Sequence, residues 1–221
     1  MQNKVVIITG GFGALGRAVA AAAAAQGATV VRVDLAPAPE GASEMDLCGI
    51  DVADVEAAEG VVHEVVRRHG GVDVLINVAG GFVWQVLDRL GPQTWMRMYE
   101  MNLATTVTMT TAALPALLKR PGARIINIGA GSAAKAAAGM GAYAAAKSGV
   151  ARLTESLAEE LRSEAITVNA VLPGIIDTPA NRAAMPHADP STWVTPEAVA
   201  DVILLLASPS AAHVTGALVP A

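Results

Sequence analysis

The opening stretch of the chain constrains its fold more than any other segment. Residues 4–8 form a short apolar run that reads as a buried strand. Thr9-Gly10-Gly11-Phe12-Gly13-Ala14-Leu15-Gly16 follows without a spacer, and residues 14–26 read as a helix that Gly27 ends. Glycines let a backbone turn tightly and come close to a pyrophosphate. The helix start adds unpaired N–H groups and the positive end of a dipole. A glycine-rich loop alone is a weak signal, because glycine also marks ordinary turns. A strand before it and a helix after it lift this one well above chance.

The same alternation continues. Residues 29–33 read as a second strand, 49–51 as the end of a short third, 74–78 as a fourth, 124–128 as a fifth and 166–172 as a sixth, with Leu218 and Val219 in a last one. Helices are expected at 55–69, 93–119 (with a break near its start), 142–163 and 196–207, the last entered through Pro196. Strands alternating with crossover helices predict one α/β domain over residues 1–221: a doubly wound parallel sheet of about seven strands with helices on both faces. Residues 177–194, rich in Pro, Asn and Asp, read as a long functional loop, with the substrate loop set at about 175–195.

Composition narrows the function classes. The net charge of −5 comes without a basic cluster, which argues against nucleic acid as a partner. Cys48 is the single cysteine, and the four histidines (His63, His69, His187 and His213) show no ligand spacing, so no metal site is expected. His63 and His69 read as solvated helix residues. The alanine-rich stretch at 18–25 falls far short of the roughly 20 apolar residues that span a bilayer. With no signal-peptide pattern in MQNKVVIITG, the expectation is a soluble, cytoplasmic protein.

Two further features point to chemistry. Asp34 ends the second strand about two dozen residues beyond Gly10, near the distance at which an acid bonds the adenosine ribose hydroxyls. Its charge would repel a 2′-phosphate, and no arginine follows it, so NAD is favoured over NADP. Tyr143 and Lys147 share one helix face at i and i+4. A neighbouring ammonium lowers a phenol's pKa, which tunes a tyrosine for proton transfer near neutral pH. Tyr-x-x-x-Lys is common on helix surfaces; its position after the fifth strand of a nucleotide-binding sheet is what matters.

In this order of motifs the chain resembles the short-chain dehydrogenase/reductase family, across residues 4–219. The resemblance rests on the glycine loop, Asp34, Asp51-Val52, Asn77-Val78-Ala79-Gly80, Asn102, Tyr143 and Lys147, and Pro173-Gly174 with Thr178. It implies a Rossmann fold and an NAD(P)-dependent oxidoreductase. It also implies cofactor contacts at Gly10, Gly11, Phe12, Gly13, Ala14, Leu15, Gly16, Asp34 and Leu35, with Asp51 and Val52 at adenine and residues 77–80 beside the adenosine ribose. Lys147 would bond the nicotinamide ribose and lower the pKa of Tyr143, and Asn102 would hold a water leading from Lys147 to solvent. Pro173, Gly174, Ile176 and Thr178 would border the nicotinamide.

Two departures stand out. Ala14 replaces the family's second loop glycine, with Gly13 one position earlier. Ala130 stands thirteen positions before Tyr143, where the family usually has a serine that hydrogen-bonds the substrate oxygen; Ser132 is two residues away. A subgroup, the dihydropteridine reductases, also carries alanine there. It resembles this chain at residues 10–16, 78–82, 139–147 and 171–196. That subgroup uses NADH and reduces a quinonoid pterin, an acceptor that can dispense with the serine. Asn102 and Phe82 depart from the subgroup.

Three functions follow as expectations. The first is NAD(H)-dependent hydride transfer to a small acceptor such as a quinonoid dihydropterin. The second is a general carbonyl or alcohol enzyme of the 3-oxoacyl or hydroxysteroid type, with Ser132 or water in place of the serine. The third is a catalytically idle NAD-binding module, which the intact Asn102, Tyr143 and Lys147 disfavour. Candidate substrate contacts are Phe82, Trp84, Ala130, Ser132, Met140 and Met185, with Trp193 as a further stacking residue. Met96, Met98, Met101 and Met109 read as core filler and Trp95 as packing. The resemblance implies subunit contacts through helices 103–118 and 147–161, hence a homodimer or homotetramer.

Overall fold

A computed structural model describes residues 1–87 and 91–221. The strands are β1 (Val5–Thr9), β2 (Thr29–Asp34), β3 (Leu47–Cys48), β4 (Val74–Asn77), β5 (Arg124–Ile128), β6 (Thr167–Leu172) and β7 (Leu218–Pro220). The helices are α1 (Ala14–Ala25), α2 (Val55–His69), α3 (Pro92–Tyr99), α4 (Thr105–Leu117), α5 (Gly141–Glu160), α6 (Pro179–Ala184) and α7 (Pro196–Ala207). The strands form one sheet in the order β3-β2-β1-β4-β5-β6-β7, with every pairing parallel.

All five residues of β1 are buried, as expected of a strand covered on both faces. Successive side chains point to opposite faces. Val5 and Ile7 join a core with Val61 and Val65 of α2, Met109 and Leu117 of α4, and Ala158 of α5. Val6 and Ile8 join a second core with Leu15 and Val19 of α1 and with Val199 and Ile203 of α7. The sheet is therefore sandwiched between α2, α4 and α5 on one side and α1 and α7 on the other. Strand order reverses between β1 and β4, which opens a crevice at their carboxyl ends.

The helix starts differ in a way that bears on binding. Asp54 caps α2, its Oδ1 accepting the Ala57 N–H at 2.8 Å, and Thr195 caps α7 through the Ala198 N–H. At α1 no side chain caps the first turn and no acid lies in it.

Three expectations are corrected. The third strand covers 47–48 rather than 49–51, because Gly49 (φ 69°) turns the chain away and donates its N–H to the Ala36 carbonyl. The helix expected at 93–119 has its break near the start, where α3 and α4 join through a π-helical turn, Glu100–Ala104, but α4 stops at Leu117 rather than Lys119. The 177–194 segment is not structureless. It contains α6, whose start Thr178 caps by accepting the Asn181 N–H at 3.1 Å, with Pro179 in the first turn, and a 3-10 turn at Pro190–Thr192. Met98 and Met109 are fully buried, whereas Met96 and Trp95 line an exposed groove of 370 Å³ with Tyr99 and Leu103. Among the described residues no helix is long and apolar enough to cross a membrane.

Candidate active site

The cofactor end is built on β1. Thr9 Oγ1 accepts the N–H groups of Val78 and Ala79, both at 3.1 Å, and so ties the segment after β4 to the root of the glycine loop. Gly10 has φ 62°, and a methyl group on it would sit 2.9 Å from the Ala79 backbone. No other residue meets both demands. The chain then enters α1 with Gly13 as its N-cap, and no side chain caps the first-turn N–H groups, which suits them to an anion. Phe12 and Leu15 are buried, so what they present to a ligand is backbone. These residues fit a pyrophosphate.

Asp34 Oδ2 accepts the Phe12 N–H at 2.9 Å and Oδ1 accepts the Ala36 N–H at 3.0 Å. A carboxylate accepts about four hydrogen bonds, so positions remain for ribose hydroxyls. Leu35 beside it is exposed. Asp51 is exposed and accepts the Ala53 N–H, whereas Val52 is packed into the core on the α2 side and has only backbone to offer adenine. Asn77 is not open to a cofactor: its Nδ2 donates to Thr110 Oγ1 and to Asn127 Oδ1, deep between β4, β5 and α4. Val78 and Ala79 pack against the two cores, and Gly80 carries the segment onward.

Gly80 marks where the catalytic candidates meet. A methyl on it would lie 2.7 Å from Asn102 Oδ1 and 3.5 Å from Lys147 Nζ. Asn102 is fully buried in the π-helical turn, a feature often found at functional sites. Its Nδ2 donates to the carbonyls of Gly81 (3.0 Å) and Met98 (3.1 Å), and its Oδ1 accepts the Gly81 N–H (3.2 Å). Both amide hydrogens are used, so Oδ1 is the side-chain atom that can receive a further donor. Lys147 Nζ donates to the Ile128 carbonyl at 2.7 Å and lies 5.9 Å from the centre of the Tyr143 ring.

The titration of the pair departs from the expectation. Burial pushes the Tyr143 phenol up to about 12, rather than the amine pulling it down, and burial pulls Lys147 down to about 8. In the chain itself the amine is engaged by Ile128 and sits by the ring, so desolvation outweighs attraction.

Ala130 is buried and extended and has no hydroxyl to offer a substrate. The turn after it, Gly131–Ala133, is held from two sides. Gly131 N–H donates to the Pro173 carbonyl at 3.2 Å, and Ser148 Oγ donates to the Ala133 carbonyl at 2.7 Å. Within this turn Ser132 Oγ is buried and makes no hydrogen bond among the described residues. Phe82, half exposed, meets Tyr143 edge-on with ring centres 5.0 Å apart. The exposed Trp84 donates its indole N–H to the Ala138 carbonyl at 2.9 Å, beside Gly139. Met140 is the residue that leads into α5, and Met185 closes α6. Trp193 follows the 3-10 turn that precedes α7.

On the nicotinamide side, a methyl on Gly174 would meet nothing within 4 Å, so space for a ligand opens there. Its N–H donates to the Ala221 carbonyl at 2.9 Å. Ile176 bridges to Val194 and accepts a bond from Asn181 Nδ2 at 2.8 Å. The Thr178 hydroxyl already caps α6, so its first duty is structural. Of the two histidines read as solvated, His63 is exposed, but His69 is half-buried with Nε2 enclosed and unpaired among the described residues.

One pair escaped the sequence reading. Arg32 forms two bonds to Asp46, Nε to Oδ1 at 2.8 Å and Nη2 to Oδ2 at 2.6 Å, and its guanidinium lies 5.2 Å from the centre of the Phe12 ring. A search downstream of Asp34 passes it by. The signal was the period of the strand, which puts Arg32 and Asp34 on one face.

Hydride chemistry on a nicotinamide dinucleotide is the class of reaction that this sheet, cradle and Tyr–Lys pair describe. The chain belongs to the short-chain dehydrogenase family, whose model matches residues 4–189, and it is an oxidoreductase. It is similar to the 3-oxoacyl-[acyl-carrier-protein] reductase of Vibrio cholerae, at 33% identity over 98% of this chain and 94% of that protein. The reductase of that name from Thermotoga maritima is 32% identical over 99% of this chain and 96% of its own length. Among solved structures, a ligand-free aldohexose dehydrogenase of Thermoplasma acidophilum superposes with a TM-score of 0.91. It is 26% identical, covering 99% of this chain and 92% of that one.

Proposed function

We propose that the chain catalyses NAD(H)-dependent reduction of a carbonyl substrate of the 3-oxoacyl kind, with Tyr143 as proton donor and Lys147 and Asn102 completing the relay. The observation that carries the reading is the meeting of Asn102 and Lys147 at Gly80, with the Lys147 amine beside the Tyr143 ring. The dinucleotide, when bound, supplies the hydride. Lys147 holds the nicotinamide ribose, Asp34 the adenosine ribose, and the α1 start the pyrophosphate. The full-length similarity to 3-oxoacyl reductases supports the substrate class. Ser132, whose hydroxyl is buried and makes no hydrogen bond among the described residues, is the donor this reading assigns in place of Ala130. Assemblies of two or four copies through α4 and α5 are part of this proposal.

A second reading, a quinonoid pterin-like acceptor, is favoured by Ala130 itself, which offers no hydroxyl to a substrate oxygen. Steady-state assays with a 3-oxoacyl thioester and with quinonoid dihydropterin, beside Ser132→Ala, separate the two. Loss of a substrate-polarising donor is worth on the order of a hundredfold in kcat, so Ser132→Ala is expected to fall by that much on the thioester. Turnover of the pterin alone, with Ser132→Ala unaffected, replaces the first reading by the second.

A further inference from the structure

Arg32 and Asp34 lie two residues apart on β2 and both reach the glycine loop. The guanidinium stacks near the Phe12 ring, and the carboxylate accepts the Phe12 N–H. A guanidinium two strand positions from the adenosine-ribose acid, on the same face of β2, has the charge and the planar donors to hold a phosphate ester. Asp46 stands in the way. Because Val33 pairs with Leu47, the residue before Leu47 comes alongside Arg32. The Asp46 side chain is 2% exposed, accepts from the Nε–Nη2 edge of the guanidinium through both carboxylate oxygens, and also accepts the Ser43 N–H at 2.8 Å.

We propose that Asp46 is a specificity-determining residue: by occupying Arg32 it keeps the adenosine subsite selective for a dinucleotide that lacks a ribose 2′-phosphate. The inference rests on the NAD reading above. A 2′-phosphate would have to compete with Asp46 for the charge and the Nε–Nη2 edge of Arg32, or settle beside the Asp34 and Asp46 carboxylates. Either route disfavours NADPH.

Fluorescence titration of the purified chain with NADH and with NADPH tests this. In Asp46→Asn the released Arg32 is expected to raise NADPH affinity relative to NADH by about tenfold to a hundredfold, the range of one charge-assisted hydrogen bond. The gain should shrink with added salt, as an exposed ion pair does, and should vanish in Asp46→Asn/Arg32→Gln. A gain that survives in the double variant is a general charge effect and overturns the proposal, as does an unchanged ratio in a folded Asp46→Asn. Should Asp46→Asn fail to fold, Arg32→Gln alone decides. The proposal requires the NADPH-to-NADH ratio to hold, and a tenfold loss of NADPH affinity means Arg32 already serves the phosphate. Tighter NADPH binding by the unaltered chain overturns the NAD reading, a result distinct from any of these.

Discussion

Tyr143 and Lys147 divide the labour of proton transfer through their surroundings. Replacing Tyr143 with Phe removes the proton donor and keeps the ring that Phe82 touches. General acid–base catalysis is worth about a hundredfold to ten-thousandfold, so kcat is expected to fall by that much while NADH titration changes little. Unchanged turnover would mean that another group carries the proton. Lys147 makes a different mark. Its amine titrates at about 8 in the folded chain against an ordinary 10.5. Between those pH values the unfolded chain holds the extra proton, so stability climbs as pH rises through that window. Below pH 8 the cost of burying the charge is fully present. Urea unfolding of the chain, compared with Lys147→Met, should show a gap that is flat below pH 8 and moves in favour of lysine up to about 10.5. A gap independent of pH contradicts the buried amine. Spacing made Asp34, Tyr143 and Lys147 legible, because i, i+4 and strand-end positions are local facts. The rise of the phenol was not legible, since burial belongs to three dimensions. Nor was the Arg32–Asp46 pair, which depends on how β2 and β3 come into register.

Elements bounded by strong punctuation were readable to within a residue or two. β1 with its loop and α1, α2 between Asp54 and Gly70, and α7 behind Thr195-Pro196 carry their start and stop signals in the chain. β3 was misplaced because a two-residue edge strand has no pattern to read. α6 was missed because Pro179 and Asn181 were counted as loop residues, although Thr178-Pro179 is a cap followed by a first-turn proline. The π-helical turn at Asn102 has no sequence code; in the fold the Asn102 amide is tied to Gly81 as both donor and acceptor. The glycine loop offers a direct test. Gly10→Ala forces a left-handed conformation on alanine, costing roughly 1–2 kcal/mol, and drives a methyl against Ala79. NADH affinity is expected to drop by about tenfold as the loop shifts to relieve the clash and leaves its place beside the pyrophosphate, with a smaller loss for Gly13→Ala, whose methyl would touch only the Gly10 carbonyl at 3.4 Å. Equal losses would mean that the turn is more pliant than its contacts imply.

At the scale of the whole molecule, the alternation of strands and helices was enough to foresee one sheet covered on both faces, since that arrangement alone buries so many apolar runs. It could not specify which helices meet other copies. α4 and α5 each leave some side chains exposed, Val107 among them. Light scattering at micromolar concentration is expected to report a dimer or tetramer, and a monomer would remove that part of the proposal.

The hydrogen-bonded line from Asn77 through Asn127 to Thr154 carries one more consequence. Thr154 stands seven residues beyond Lys147, two turns along the same stripe of α5. An oily interior would let that rod roll about its long axis at little cost. A polar peg set into the neighbouring strands does not, so the angle at which the amine meets its ligand is fixed from two turns farther along the same face of the helix. Swapping Asn127 for leucine should therefore blur catalysis before it melts the protein.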